Sequence, residues 1–403
     1  MDTMDVFVQL DKPSSYSTAK RLSLDHYTNG EKTTVLNIRP FNYYENCARQ
    51  LWGYWGESNK SSHSLDKGSL DTDSKKHVQI IIAGFGPMGQ ALLIEALNVC
   101  HFPNGAAHPN EPSLKTHICV VDPEMNRLKS LFQAQYAGLF QILDVDIEYR
   151  NGLLEDTAMR DDIVKWATDD NTLLTIAICL SNSDQSLASA LSLPEESYFR
   201  MVDNRPEPTR NVQILTSQEI FIKDMNEIIS NKRCKIYENV HTFGSTIQGW
   251  NDNIMSDVMP IWINYFFTND QIRDEVKAIL DSNDVAAYLD KYREAEKSWG
   301  ELNEDLKYSN RYQIDMYGIF VRYKGMNNVS AETMMRMEHS RWMADRAIIG
   351  YKYNKEKFKE YKLHHCMVAF DSLPDPEKTK DDQVISNLEL VQQLYDFHFK
   401  ISK

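Results

Sequence analysis

The sequence predicts an α/β protein with a doubly wound, mostly parallel sheet, followed by a helical connector and a small, mainly α-helical domain. Two observations lead to this prediction. Apolar strand-like segments alternate with helical segments from residue 77 to residue 248, and the chain becomes helical and polar beyond Gly244. Such alternation is typical of parallel sheets that carry helices on both faces.

The predicted sheet begins at residues 78–83, Val-Gln-Ile-Ile-Ile-Ala, an apolar run of the kind found in strands buried on both faces. The elements that follow are a helix at 88–99, strands at 117–121 and 145–149, a helix at 156–168, a strand at 173–180, a helix at 183–191, and strands at 212–216 and 235–240. We therefore assign residues 77–248 to one sheet domain.

Residues 1–55 contain two short strands, 5–10 and 34–39, and a helical stretch near 44–55. So few elements make a poor independent domain, so we interpret them as a partial α/β lobe that needs another surface. Residues 56–76 consist mainly of Ser, Lys, Asp and Gly and are predicted to be a linker.

The C-terminal part of the chain is predicted to be helical. The connector, 249–329, contains helices near 253–267, 270–281, 284–296 and 310–324. The last domain, 330–403, begins with a helix at 331–348 and ends with one at 382–397, after the turn-rich Leu373-Pro374-Asp375-Pro376.

The acidic composition argues against nucleic acid as a partner, because 44 Lys and Arg residues face 58 Asp and Glu residues, for a net charge of −14. The longest apolar runs are too short to cross a bilayer, and the N-terminus lacks the features of a signal peptide. Six cysteines lie far apart without a Cys-x-x-Cys pair, as buried thiols do in a reducing compartment. We expect a cytoplasmic protein without direct membrane insertion.

A glycine-rich turn follows strand 78–83 and opens the next helix: Gly84-Phe85-Gly86-Pro87-Met88-Gly89. In the Rossmann fingerprint, the first glycine permits the tight turn and the second lets the backbone approach a pyrophosphate. The third allows the helix to pack closely on the strand, and the helix N-terminus attracts the anion. The position of this motif between strand and helix predicts a dinucleotide site.

Asp122 ends the second strand of the predicted sheet, where a carboxylate can accept hydrogen bonds from a ribose diol. It lies 33 residues after Gly89, against a usual spacing of about 20. The polar insertion 101–116 accounts for the excess and leaves Asp122 in its topological place. The alternative is a solvated carboxylate at a strand end.

Ser181 and Asn182 follow strand 173–180 and are candidates to line the same pocket, since ligands lie beyond the carboxyl ends of parallel strands. An equally plausible interpretation is a helix N-cap, with Ser183 or Asp184 capping the helix that follows.

Catalytic motifs are absent from the sequence, which has no Gly-x-Ser-x-Gly, no His-Glu-x-x-His and no P-loop lysine. Residues 250–335 also offer no clear acid or base for hydride transfer. His364 and His365 lack further residues at a recognised ligand spacing, so we interpret them as a surface or packed pair. The prediction is a protein that is not an enzyme and has no metal site.

Residues 77–245 resemble the NAD-binding regulatory lobes of potassium-transport and potassium-channel proteins, the TrkA-N or RCK type. The shared features are the run from His77 to Gly89, the Val-Val-Asp that ends at Asp122, and the run Ala177–Asp184. The resemblance implies NAD or a related adenine nucleotide (NADH, ADP-ribose or ATP) as the ligand. Residues 1–55 look like the end of a preceding lobe of this type.

Residues 336–382 resemble the RyR domain, a repeat named for ryanodine receptors and found also in bacteria. The resemblance rests on the run Glu338-His339-Ser340-Arg341-Trp342, Gly350-Tyr351, His364-His365, Val368–Pro374 and Glu377-Lys378. It departs from the family at Tyr351, where Trp is frequent, and at Cys366, where Pro usually stands. The implied candidates for ligand or partner contact are Arg341, Trp342, Tyr351, His365 and Lys378.

In this second module, Trp342 or Tyr351 would stack on a ligand while Arg341 or Lys378 meets a phosphate. The alternative for Trp342, a large aromatic on a helix, is core packing.

The sequence therefore predicts a ligand-sensing regulatory protein with a small-molecule nucleotide as its partner. The resemblances add a homodimer and, in the full system, a membrane channel or transporter. Two other classes stay open: an NAD(P)-dependent oxidoreductase with a helical substrate domain, and an interaction scaffold that binds no ligand.

Overall fold

The computed structural model describes residues 2–10, 26–28, 34–53, 63–68, 70–219, 235–250 and 256–401. In these residues the α/β class is confirmed by a six-stranded, all-parallel sheet flanked by helices. Part of the predicted linker (56–62) and the start of the helix predicted from residue 253 lie outside the described residues. No helix within the described ranges is both long enough and apolar enough to span a bilayer.

The strands, numbered in chain order, are β1 (Asp2–Gln9), β2 (His26–Thr28), β3 (Thr34–Phe41), β4 (His77–Ala83), β5 (Thr116–Asp122), β6 (Val145–Asn151), β7 (Thr172–Ile178), β8 (Phe199–Val202), β9 (Arg205–Pro208), β10 (Val212–Ser217), β11 (Val240–Phe243), β12 (Lys352–Tyr353) and β13 (Leu363–His364).

The α-helices are α1 (Tyr43–Trp52), α2 (Pro87–Val99), α3 (Pro103–Ala107), α4 (Met125–Gln135), α5 (Thr157–Thr168), α6 (Ser183–Leu191), α7 (Thr246–Gly249), α8 (Val258–Thr268), α9 (Arg273–Ser282), α10 (Val285–Gly300), α11 (Glu304–Asp315), α12 (Tyr317–Lys324), α13 (Ala331–Ile349) and α14 (Asp375–Ile401).

The central sheet has the strand order β11-β10-β7-β4-β5-β6, and every neighbouring pair is parallel. This is the order of the doubly wound sheets, in which the chain moves outward in both directions from the centre. The central strands β4 and β7 are the most deeply buried, and Ile80, Ile81 and Ile82 have no exposed surface.

The alternation of side chains along β4 separates two cores. Ile81 packs with α5 and α6 on one face of the sheet. Ile80 and Ile82 belong to the core of the other face, with Leu93 of α2. Because successive side chains of a strand point to opposite faces, an apolar run such as this one must be covered twice.

The N-terminal elements complete the core of the second face. β1 pairs parallel with β3, β2 pairs antiparallel with β3, and α1 packs along α2. Arg49 of α1 donates two hydrogen bonds to Asp315 of α11, with nitrogen–oxygen distances of 2.8 and 3.0 Å. The surface that the sequence predicts this lobe to need is thus supplied by the chain itself.

The described part of the predicted linker, 63–68 and 70–76, is packed against the molecule. Leu65 and Leu70 are 3% and 1% exposed, and Asp66 is fully buried. Both Asp66 oxygens accept hydrogen bonds from Arg322, and the Tyr323 hydroxyl donates to the same carboxylate. Two buried leucines and one paired carboxylate therefore attach this segment to the rest of the protein, although its composition suggests a linker without such contacts.

The C-terminal helices share their core with the sheet. α13 packs against α2, α3 and α14, and its Met337 and Ala344 belong to the same buried cluster as Ile80. Gln141, just before β6, donates to the Tyr351 carbonyl at 2.6 Å. The boundaries predicted near residues 249 and 330 therefore do not interrupt the core.

Some predicted elements differ in detail. Residues 235–240 were expected to form a strand, but Lys235–Tyr237 is a 3-10 turn and β11 starts at Val240. The helix predicted at 310–324 is two helices, α11 and α12. The last helix starts at Asp375, because Pro376 is compatible with a first helical turn.

Candidate functional site

The candidate site lies at the carboxyl ends of β4, β5 and β7, which are neighbours in the sheet with β4 in the middle. The connection from β4 leads to β5 on one side, and that from β7 leads to β10 on the other. Ligands of doubly wound sheets bind outside the strand ends at such a reversal.

Two glycines of the turn after β4 are required by the fold itself. Gly84 has a φ of +93°, and a Cβ there would lie 2.6 Å from the Cys179 carbonyl oxygen. A Cβ on Gly89 would lie 2.0 Å from the Gly84 carbonyl oxygen. Both positions therefore exclude any larger residue, whether or not a ligand binds.

Gly86 differs from the other two, since a Cβ there would have no heavy atom of the described residues within 4 Å and its φ is −69°. It precedes α2, which begins with Pro87 and has no acidic residue in its first turn. The first N–H groups of a helix lack intrahelical partners and attract anions. The space beside Gly86 thus fits a phosphate group that approaches the backbone.

The side chains of Phe85 and Met88 are buried in the core. Phe85 has no exposed surface and packs edge-on against Phe132, with ring centroids 5.0 Å apart. Met88 is 7% exposed, and its Cε lies 3.1 Å from where a Cβ on Gly244 would stand. For both residues, the backbone rather than the side chain is therefore the part that could contact a ligand at the turn.

Asp122 is neither free nor simply solvated. One carboxylate oxygen accepts from the Phe85 N–H at 2.8 Å, and the other accepts from the Glu124 N–H at 2.7 Å. The side chain thus fixes the glycine turn from the adjacent strand. Each carboxylate oxygen has more than one acceptor position, so a ribose hydroxyl can still be bound.

The segment after β7 contains the predicted helix cap, at a different residue. Asn182 is the N-cap of α6 and accepts from the N–H groups of Asp184 and Gln185, whereas Ser183 or Asp184 was the expected cap. Ser181 and Asn182 are both exposed at the sheet edge.

Cys179 lies beneath the glycine turn. Its thiol donates to the Gly84 carbonyl oxygen at 3.2 Å, and burial raises the pKa of this thiol above its ordinary value. The hydrogen bond stabilises the turn, and a thiol with a raised pKa is a weaker nucleophile than an ordinary one.

Helix α2 connects the turn to a buried ionic group. Glu95, on this helix, is 2% exposed, and neither of its carboxylate oxygens has a hydrogen-bond partner among the described residues. Burial, reinforced by Asp315, raises the pKa of Glu95 well above its usual range. Burial also raises the pKa of Asp315 to about 6 despite its pairing with Arg49.

Among the C-terminal candidates, Trp342 and Tyr351 are brought together. The Arg346 guanidinium lies over both rings, 5.7 Å from the Trp342 centroid and 5.5 Å from that of Tyr351. His364 contacts Trp342 edge-on at 5.0 Å. Sequence reasoning missed Arg346, although its position four residues after Trp342 places it on the same helix face.

Arg341 and Lys378 do not join this aromatic group. Arg341 is 3% exposed and donates two hydrogen bonds to Glu338, at 2.7 and 2.8 Å. Lys378 lies over the Phe370 ring at 5.5 Å and pairs with Asp375 at 3.6 Å. The buried pairing of Arg341 favours a structural role over the phosphate contact that the sequence suggested.

His365 lies in a cluster that the sequence did not reveal. One ligand atom from each of His364, His365 and Cys366 lies within 4.8 Å of the others. Glu377 approaches from α14, with its carboxylate 3.8 Å from His365 Nε2 and 3.4 Å from Cys366 Sγ. The signal for Cys366 was its position next to His365, whereas Glu377 is brought there only by the fold.

Comparisons of the chain with protein-family models, with curated proteins and with solved structures find no match. The geometry of the site therefore carries the functional argument.

Proposed function

We propose that the chain binds NAD or a related adenine nucleotide at the turn 84–89 and acts as a ligand-sensing regulatory protein. The observation that carries this proposal is the space beside Gly86, at the uncapped start of α2 and at the point where the strand order reverses. Asp122, beside the same turn, offers acceptors for the ribose.

The sharpest test is Gly86→Val, examined by calorimetry with NAD, NADH, ADP-ribose and ATP. The Cβ of the new side chain has no atom of the described ranges within 4 Å, and the φ of −69° suits an L-residue. The fold is therefore kept, while the methyl groups occupy the path of a pyrophosphate. We expect wild-type protein to bind one of the four nucleotides and the variant to lose that binding.

Gly325→Ala serves as the matched control, since a Cβ there has its nearest neighbour at 4.0 Å and lies at the end of α12. It should bind the nucleotide as the wild type does. Unchanged nucleotide binding by Gly86→Val would place the site elsewhere. Failure of the wild-type protein to bind any of the four would favour the scaffold interpretation.

A sensor must couple its ligand to the rest of the molecule, and α2 has the contacts for this. Its first turn borders the proposed pocket, and its body packs against α1, α11 and α13. A ligand favours whichever arrangement of these helices binds it more tightly.

The oxidoreductase alternative would be supported by NADH oxidation that depends on the protein and on one residue of 250–335. We expect no such turnover.

We further propose that residues 330–403 form a second module of the RyR type, with Trp342, Arg346 and Tyr351 as its contact group. The guanidinium lies over both rings, and aromatic faces of this kind also bind cationic ligands. The resemblance also predicts that the chain forms a dimer and that its effector is a membrane channel or transporter. Light scattering on the purified chain tests the dimer.

A further inference from the structure

We propose that His364, His365, Cys366 and Glu377 form a binding site for a divalent transition-metal ion of the zinc class. Three of these residues follow one another at the end of β13, and the fourth lies in the first turn of α14. The site would therefore join the segment after β13 to the last helix. It is independent of the nucleotide site proposed above.

The distances fit a tetrahedral ion. Bonds of about 2.0 Å to nitrogen or oxygen and about 2.3 Å to sulfur place neighbouring ligand atoms roughly 3.3–3.8 Å apart. Glu377 Oε2 lies 3.4 Å from Cys366 Sγ, and Glu377 Oε1 lies 3.8 Å from His365 Nε2. Each oxygen of Glu377 thus already lies at ligand spacing from one of these residues, and the ligand atoms of His365 and Cys366 lie within 4.8 Å of each other.

His364 would be the fourth ligand after a small movement of its side chain. Its ligand atom lies within 4.8 Å of those of His365 and Cys366, so a shift of about 1 Å brings it to tetrahedral spacing. The His364 Nδ1 now accepts from the Cys366 N–H at 3.1 Å, and the ring stacks on His365 with centroids 5.0 Å apart. Binding would exchange that backbone hydrogen bond for a metal bond.

The position of the cluster allows an ion to enter. Cys366 is 4% exposed, whereas the side chains of His365 and Glu377 are 34% and 21% exposed. A buried thiol behind a half-exposed histidine and carboxylate gives an entry path together with a dry interior. Lys380 pairs with Glu377 at 2.7 Å and holds the carboxylate until an ion displaces it.

The donor set selects the class of ion. Thiolate and imidazole favour zinc and related borderline ions, whereas magnesium and calcium require sets of oxygen ligands. The Cys366 thiol would lose its proton to solvent on binding, because the thiolate is the ligand. Binding should therefore release protons and weaken as the pH falls.

The experiment uses Co²⁺ as a spectroscopic probe with the full chain under reducing conditions. We expect one equivalent of Co²⁺ to give a thiolate-to-metal charge-transfer band and the visible bands of a tetrahedral ion, both displaced by Zn²⁺. Cys366→Ser should remove the charge-transfer band. His365→Gln and Glu377→Gln should each weaken binding by at least about tenfold, since even outer contacts contribute that much.

His108→Gln and Glu360→Gln are the matched controls, because both side chains are exposed and lie outside the cluster. Thermal melting without metal shows that each variant is folded, and His365→Gln keeps the test valid if the buried Cys366→Ser is unstable. A wild-type chain without the charge-transfer band, or a band that survives both Cys366→Ser and His365→Gln, overturns the proposal.

Discussion

At the scale of single residues, Asp381 shows how burial changes the chemistry of a side chain. It lies in α14, is 8% exposed, and faces Glu338, His339 and Arg341 of α13. The Nδ1 of His339 lies 3.7 Å from the Asp381 Oδ2, and this oxygen has no hydrogen-bond partner in the part of the chain that the structure describes. Burial, with the charge of Glu338, raises the pKa of Asp381 to about 8, although Arg341 opposes this.

This shift predicts a stability that falls as the pH rises. In the unfolded chain the carboxyl ionises near its ordinary pKa of about 4, so between roughly pH 4 and pH 8 only the folded state holds this proton. The group should therefore lower the free energy of unfolding by up to about 1.4 kcal/mol per pH unit in that window. Asp381→Asn keeps a neutral side chain and should remove the contribution of Asp381 to the slope of the free energy of unfolding against pH.

Urea unfolding at a series of pH values checks the prediction, with Asp382→Asn as the control. Asp382 is the exposed neighbour of Asp381, so its substitution should leave the slope as in the wild type. A slope that Asp381→Asn does not change would mean that Asp381 is ionised in the folded protein at neutral pH.

At the scale of elements, the turn from β4 to α2 contains glycines with two different roles. Gly84 and Gly89 are required by packing, whereas Gly86 is the glycine that we propose faces a ligand. Gly89→Ala places a Cβ 2.0 Å from the Gly84 carbonyl oxygen, a clash with backbone that no side-chain movement relieves. We expect it to destabilise the protein by about 1–3 kcal/mol or more, as overpacked sites do.

Gly86→Ala should change the free energy of unfolding little, because its Cβ has no atom within 4 Å among the residues that the structure describes. Chemical denaturation of the two variants under identical conditions gives the comparison. Equal stability of both would show that the close approach of α2 to β4 is looser than the structure indicates.

Element prediction succeeded for the central strands of the sheet. β4 and β7 are apolar runs of strand length, so local sequence suffices to place them. The hairpin β8–β9 was missed, because its exposed residues Arg205–Pro208 carry no apolar alternation and include two prolines.

At the scale of the whole molecule, one continuous core joins the sheet to the C-terminal helices. A Cβ on Gly138, in the connection before β6, would lie 2.4 Å from the Ala347 carbonyl oxygen of α13. The buried side chains of α13, such as Met337 and Ala347, pack in the cluster that includes Leu97 of α2. The last predicted domain therefore lacks part of its core when it is isolated.

We accordingly expect a fragment of residues 330–403 to unfold without a cooperative transition, whereas the full chain unfolds cooperatively. A helix whose apolar face has lost its partner is marginal in water. Circular dichroism during thermal unfolding, compared at equal residue concentration, makes the measurement. Cooperative melting of the fragment would show that α13 and α14 suffice for an independent domain.

The amino-acid sequence by itself determined the α/β class, most elements of the sheet and the glycine turn, since these depend on local periodicity and on backbone sterics. It could not determine contacts between distant segments. From the sequence, Asp66 is a residue of a predicted linker and Glu377 a carboxylate on a helix. The structure places Asp66 beside Arg322 and Glu377 beside His365. Those pairings arise only when the chain folds and brings distant segments together, because burial rather than sequence spacing decides which charged groups must find a partner.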